Sequence, residues 1–467
     1  MQYRIFSFLL VVLFSQLAQA QFYHKDPARG LNVNMITSPS GIVEECILPK
    51  RFPGIEYSDR DLKMEQKLCG LDFYNHPQLA VCPKLKSTNP GIELHVVPEG
   101  STKAAIESAN CQVPQLGKKI AKYKNTITCS YTPAALGYYH VSRILGGVGN
   151  VPQSVVRTMS KENHLDVVKK AIAVTRAKHT PGTIIRIAWE RLWPAAHGAP
   201  AKFPKIFDVD LTSIYGALSV NVTDEEKYSE LNGKGSYESR YVRFKNSSAY
   251  NEVQSLKPIS EMVGPSLQES AQQIIRMKDV SDMILLDYLL NQLDRIGNIH
   301  LKYFWVYVYQ NQLIKVSLKG TPALPDPEQK TQMNSVGAVL VKQMILRDND
   351  CGVAKDNMAK LSGLLDGVHH LSPQTYRRFL WFTSQLQNPE SQEFFKRETL
   401  FTDNDLKGVG RGLITNALLV AKTLQNRCKQ GQLHLDLDLK AHVQSQNIRD
   451  SREHCDLPAN YNPNLDN

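Results

Sequence analysis

The chain has 467 residues, 42% of them hydrophobic, eight cysteines and a formal net charge of +10. That length fits one large or two modest domains and allows a sizeable core. The Lys and Arg residues are scattered, with no basic runs and no interleaved aromatics, which argues against a nucleic-acid partner and leaves the charge as a solvated basic face.

Residues 1–20 read as an export signal. Arg4 supplies the positive charge, Ile5–Phe14 the apolar core, and Ala18-Gln19-Ala20 a small-x-small cleavage site. No later stretch approaches the ~18 apolar residues of a membrane span. The mature chain is therefore expected to start near Gln21, without a transmembrane segment, in a periplasm, a secretory lumen or the extracellular space. All eight cysteines follow the signal, and an even count in an exported chain points to disulfides. Connectivity stays open. The sequence neighbours Cys69/Cys82 and Cys111/Cys129 are natural first guesses.

Residues 21–80 have weak periodicity and read as an extended leader, pinned through Cys46. Strands follow at 92–97 and 117–124, the second carrying Lys119, Lys122 and Lys124 in an Ala-Lys-Tyr-Lys alternation. Residues 131–145 form a helix with Pro133 in its first turn, ended by Gly146-Gly147, and 151–157 return as a strand. Residues 81–158 thus make a small strand-rich unit. Residues 159–467 are mainly helical. They include helices at 161–175 and 183–192, an unassigned stretch over 196–262, and a long helix over 266–291. A strand pair at 303–309 and 312–318, a polar loop at 321–333, a strand at 336–346 and helices at 372–386 and 403–427 complete the reading.

The long helix ends in Asp294-Arg295-Ile-Gly297-Asn298-Ile-His300, which packs an acid, a base, an amide and an imidazole into seven residues. Taken alone, this is equally well a turn that ends a helix. Two other stretches raise its value. One is Leu136-Gly-Tyr-Tyr-His140-Val-Ser-Arg143-Ile-Leu145, leading to Val151-Pro152. The other is Ile345-Leu-Arg-Asp348-Asn349-Asp-Cys-Gly352, a strand that ends in Asp-Asn.

In this order the three stretches resemble the helix-to-strand, catalytic-loop and metal-binding segments of the secretory-pathway atypical kinases, the Golgi casein kinase and four-jointed families. The resemblance implies an α+β, two-lobed protein-kinase-like fold, with 81–158 as the N-lobe and 159–467 as the helical C-lobe. It implies ATP with Mn or Mg as cofactors. Asp294 would be the catalytic acceptor of the substrate proton, Lys122 and Arg295 would bind the cofactor, and Asp348 and Asn298 would be metal ligands. Phosphoryl transfer asks a protein mainly for positioning and charge neutralisation, which these residue types supply. The expected activity is transfer of the ATP γ-phosphate to a protein or other hydroxyl-bearing substrate. The alternative is a catalytically inactive pseudokinase that binds or regulates.

The departures bear on that choice. The acid expected on the helix falls at Ala135, and no Asp or Glu occurs from Gln112 to Ser160. No convincing Gly-rich loop precedes Lys122. Another alignment would place Ser317 where the metal-binding Asp belongs. Elsewhere, His369-His370 is expected to be exposed, Asp403-Asn404 to cap a helix, and Asn221 and Asn246 to fit glycosylation sequons.

Overall fold

A computed structural model describes residues 22–444 and 454–466; residues 1–20, expected to be an export signal, lie outside them. The first strands come from the segment expected as an irregular leader. β1 (Asn32–Thr37) and β2 (Val43–Leu48) form a hairpin, and α1 (Asp59–Cys69) follows with a Ser58/Asp61 capping box. Then come β3 (Leu79–Pro83), β4 (Gly91–Val96), α2 (Lys103–Ser108), β5 (Lys119–Lys124), α3 (Thr132–Ile144), β6 (Ser154–Ser160), α4 (Lys161–Lys178) and β7 (Ser213–Val220). The seven strands make one antiparallel sheet in the order β1-β2-β6-β7-β5-β4-β3.

The leader is thus an integral edge of the sheet, with Cys46 opposite Arg157. β7 lies in the stretch that periodicity left unassigned. It is a central strand buried on both faces along most of its length, so polar residues do not alternate along it. One face of the sheet carries Ala121, Tyr123, Val155 and Leu218 against Val168, Trp189 and Trp193. The opposite face receives α3, whose Ala135 and Leu136 pack on Ile47, Val156 and Ala217. The far side of α3, through Tyr138, Val141 and Ile144, enters the largest core.

That core is built around the helix Leu267–Leu289, which is buried along its second half and carries a Ser266/Glu269 capping box. A second sheet leans on it. β8 (Glu226–Lys227) and β10 (Gln312–Ser317) both pair with β9 (Ile299–Tyr309), and β11 (Val339–Leu346) takes its other edge. The architecture is therefore mixed α and β with antiparallel sheets. The expected polar loop at 321–333 contains the helix Pro327–Ser335, capped by Asp326, so Asp-Pro here starts a helix rather than a turn. The helix expected over 403–427 is two, Asp403–Lys407 and Leu413–Lys429, separated at Gly408–Gly412, and Thr402 rather than Asp403 caps the first. No helix of the described residues is long and apolar enough to cross a membrane.

The disulfides join Cys46–Cys69, Cys82–Cys111, Cys129–Cys351 and Cys428–Cys455. The guessed pairs Cys69/Cys82 and Cys111/Cys129 are therefore wrong. The first bond staples α1 to β2 and the third spans 222 residues of sequence, neither of which spacing alone reveals. Four disulfides fit an oxidising compartment. His370 is buried rather than exposed, with Nδ1 2.8 Å from Asp436 and Nε2 3.0 Å from the Ser255 carbonyl.

Candidate functional site

Strand register brings two of the expected segments together, although neither Asp294 nor Asn298 lines the cavity beside Asp348. Leu346 pairs with Ile299, and Ile345 with His300. The loop that enters β9, Asp294–Asn298, and the segment that leaves β11, Arg347–Asp350, therefore meet at one end of this strand pair. Ser317 pairs with Phe304, five residues further along β9. Asp348 thus lies at this junction, and Ser317 lies away from it.

Arg295 ties these segments. Its guanidinium is 1% exposed. It donates to both oxygens of Asp287, at 2.9 and 3.0 Å, to the Arg347 carbonyl at 3.0 Å and to Asn349 Oδ1 at 2.6 Å. Asp287 also accepts from Tyr138 of α3 at 2.8 Å. Arg295 was expected at the cofactor, but its fork is consumed inside the protein. It positions the loop that carries Asp294 against the segment that carries Asp348.

Asp294 stays accessible. Its Oδ1 accepts from Arg240 at 2.8 Å and its Oδ2 from Asn298 Nδ2 at 3.0 Å. Burial raises its pKa, and Arg240 and Asn298 offset this only in part. Gly297 is needed here: φ is +119°, and a Cβ would lie 2.9 Å from Arg240 Nη1. The amide nitrogen of Asn298 is spent on Asp294, which leaves its oxygen as the atom available to a ligand.

The lysines arrive from β5. Lys122 and Lys124 are two residues apart and so share a sheet face, opposite the face of Ala121 and Tyr123. Lys124 rather than Lys122 makes the contact, with Nζ 2.9 Å from Asp348 Oδ1 and 2.6 Å from Asp350 Oδ1. Burial opposes its charge, but Asp348 and Asp350 outweigh that and hold its pKa above the usual value. Burial alone would raise both carboxylates; Lys124 holds Asp350 low, and Lys124 with Lys84, Lys122 and Arg347 holds Asp348 well below the carboxylate range. Lys122 is buried, with no hydrogen-bond partner among the described residues, and burial lowers its pKa to about 6. Lys84, near the end of β3, is lowered to about 8 by burial and by Lys124. Arg347 pairs with Glu225.

Lys84, Lys124 and Arg347, with Lys122 mostly uncharged at neutral pH, thus gather around Asp348, Asp350 and Glu225. Asp348 itself sits at φ +53°, an unusual conformation for a residue with a side chain and one that clusters at functional sites. A cavity of about 50 Å³ lies between Lys122, Lys124, Asp348 and Ala135. Beside it opens a cleft of about 760 Å³, and the two share Pro152 and Val220 as walls. The larger space falls in the range of small-molecule sites, about 300–1,000 Å³.

The donor set suits a hard divalent cation. Asp348 and Asp350 offer carboxylate oxygens, and Oδ2 of Asp350 is buried without a partner. Among the described residues no group of three or more His, Cys, Asp or Glu is placed to hold a metal ion by itself. Any such ion would need the two carboxylates and ligand oxygens together, since Asn298 does not line the cavity beside them. Lys84, Asp350, Asp287 and Arg240 were not singled out from sequence. Asp350 was open to discovery, since it lies two residues from Asp348; Arg240 sits in a featureless stretch and gave no sign.

No protein-family model and no curated protein matches this chain. Among solved structures it is similar to the one titled "Crystal structure of the golgi casein kinase", with 13% identity over 84% of this chain and 78% of that chain and a TM-score of 0.35. The site assignment rests on the geometry above rather than on that distant likeness.

Proposed function

We propose that the chain is an exported, kinase-like phosphotransferase that binds ATP with Mn or Mg between a strand-rich N-lobe and a helical C-lobe. The observation that carries this is the convergence of Lys124, Asp348 and Asp350 with the loop of Asp294, locked by one buried arginine. Asp294 would orient a substrate hydroxyl and accept its proton; its raised pKa and partial exposure suit that task. Lys124 and Lys122 would face the nucleotide phosphates. Asp348 and Asp350 would hold the divalent ion, which supplies charge neutralisation to the transferring phosphate. The neighbouring cleft has room for the nucleoside.

A second reading has its own support. Lys124 already bridges both carboxylates, and Ala135 stands where an acid would otherwise draw that lysine away. On this reading the site binds a nucleotide or phosphate without transfer.

Oxidised protein with Mn²⁺ or Mg²⁺ and ATP separates the two. Metal-dependent thermal stabilisation by ATP that is lost in Asp348→Ala supports nucleotide binding. Label transfer that is lost in Asp294→Asn, with that stabilisation retained, supports the kinase. Stabilisation without transfer to any acceptor supports the inactive reading, and no stabilisation with either metal rejects both.

A further inference from the structure

A third cavity, of about 610 Å³, lies apart from the Asp294 loop. Its apolar wall includes Ile127, Tyr131, Ala195 and Phe203. Three lysines stand around it, Lys202, Lys205 and Lys355, and no acidic side chain lines it. Lys205 places its ammonium 5.5 Å from the centre of the Tyr131 ring. One wall also holds a polar group that the fold leaves unused. Ser130 is 2% exposed, and its Oγ has no hydrogen-bond partner. Buried hydroxyls are ordinarily satisfied, so an orphaned one in a cavity wall points to a ligand that supplies the missing partner.

We propose that this cavity binds a small amphiphile, an apolar body that carries a single anionic head. The apolar wall takes the body. The lysines, with no acid among them, select a negative head and disfavour a positive one. Ser130 supplies a hydrogen bond at depth. The site has a direct line to the segment that carries Asp348. The Tyr131 amide donates to the Asp350 carbonyl at 2.7 Å, and the Cys129–Cys351 disulfide joins the same two loops. A ligand against Tyr131 and Ala354 would therefore stiffen the 348–355 segment from both sides. This reading is independent of the kinase proposal, since it needs neither nucleotide nor transfer.

Calorimetric titration of the oxidised full chain with decanoate, decyl phosphate and decanol tests it. The expected result is saturable one-to-one binding of the two anions, with decanol at least about tenfold weaker, and a loss of about tenfold or more in Lys205→Glu/Lys355→Glu. Preference for decanoate over decyl phosphate marks a carboxylate head and the reverse a phosphate head; either supports the site. Lys169→Glu, an exposed change on α4, should leave binding unaltered. Ala195→Trp should block the cavity, and the surface lysine variants keep the test valid if that protein does not fold. Hydrogen exchange over 348–355 should slow on binding. Equal affinity for decanol and decanoate, unchanged affinity in the double lysine variant, or no saturable binding overturns the proposal.

Discussion

Replacing Arg295 by Met tests whether the candidate site is held together from inside. The guanidinium faces a carboxylate that is 2% exposed, Asp287, and also satisfies the Arg347 carbonyl and Asn349. After the change Asp287 keeps only the Tyr138 hydroxyl among these partners. Removing one member of a buried pair strands the other charge, at a cost of about 3–5 kcal/mol. Asp287→Asn/Arg295→Met removes the stranded charge, so it should recover at least about 1 kcal/mol relative to the sum of the single variants. Guanidinium unfolding, with the disulfides intact, of the parent, both single variants and the double variant gives the cycle. A cost below about 1 kcal/mol for Arg295→Met, or strict additivity in the cycle, would refute the view of Arg295 as the buried tie between the two loops.

Two further outcomes follow from packing and protonation. Ala normally favours a helix over Gly by about 1 kcal/mol, but a Cβ on Gly137 would lie 2.5 Å from the Phe401 ring. Gly137→Ala should therefore destabilise by about 1–3 kcal/mol, and a rise in melting temperature would contradict this. His140 is buried beside Tyr57, and burial, reinforced by Arg51 and Arg143, lowers its pKa to about 3. Between its unfolded value of about 6.5 and that folded value only the unfolded chain binds the proton, so this residue makes stability fall as pH falls. At pH 5 the loss is about 2 kcal/mol relative to neutral pH. Urea midpoints at pH 7 and 5 should converge in His140→Gln and separate in the parent; equal separation in both rejects the assignment.

Part of this arrangement was legible, for identifiable reasons. The stretch Asp294–Asn298 follows a helix with strong apolar periodicity, and Asp348 follows an apolar strand, so the ends of both elements could be placed. The alternation Ala121-Lys122-Tyr123-Lys124 shows that Lys122 and Lys124 share a face, but not which reaches a carboxylate. That depends on where β11 ends, a long-range fact. Arg295 misleads because an exposed and a buried arginine look alike until Asp287, eight residues earlier, is seen to turn towards it. β7 was missed because a strand covered on both sides loses its polar alternation. The hairpin β1–β2 was missed because its partner, β6, lies more than a hundred residues downstream in sequence.

The position of that hairpin has a consequence for how the chain is made. Strands β1 and β2 leave the ribosome first, yet the strand that completes their pairing, β6, follows β3, β4, β5 and α3. Throughout that interval the growing chain carries an unpaired hydrogen-bonding edge, the kind of template on which two copies can join. What can protect it early is local: α1 follows β2 closely, and Cys69 can reach Cys46 after only 23 residues. Oxidation of this first pair would lay a helix over the waiting hairpin before the sheet exists. Its loss should appear in living cells as lower yield and linked aggregates, even where the finished protein tolerates the change.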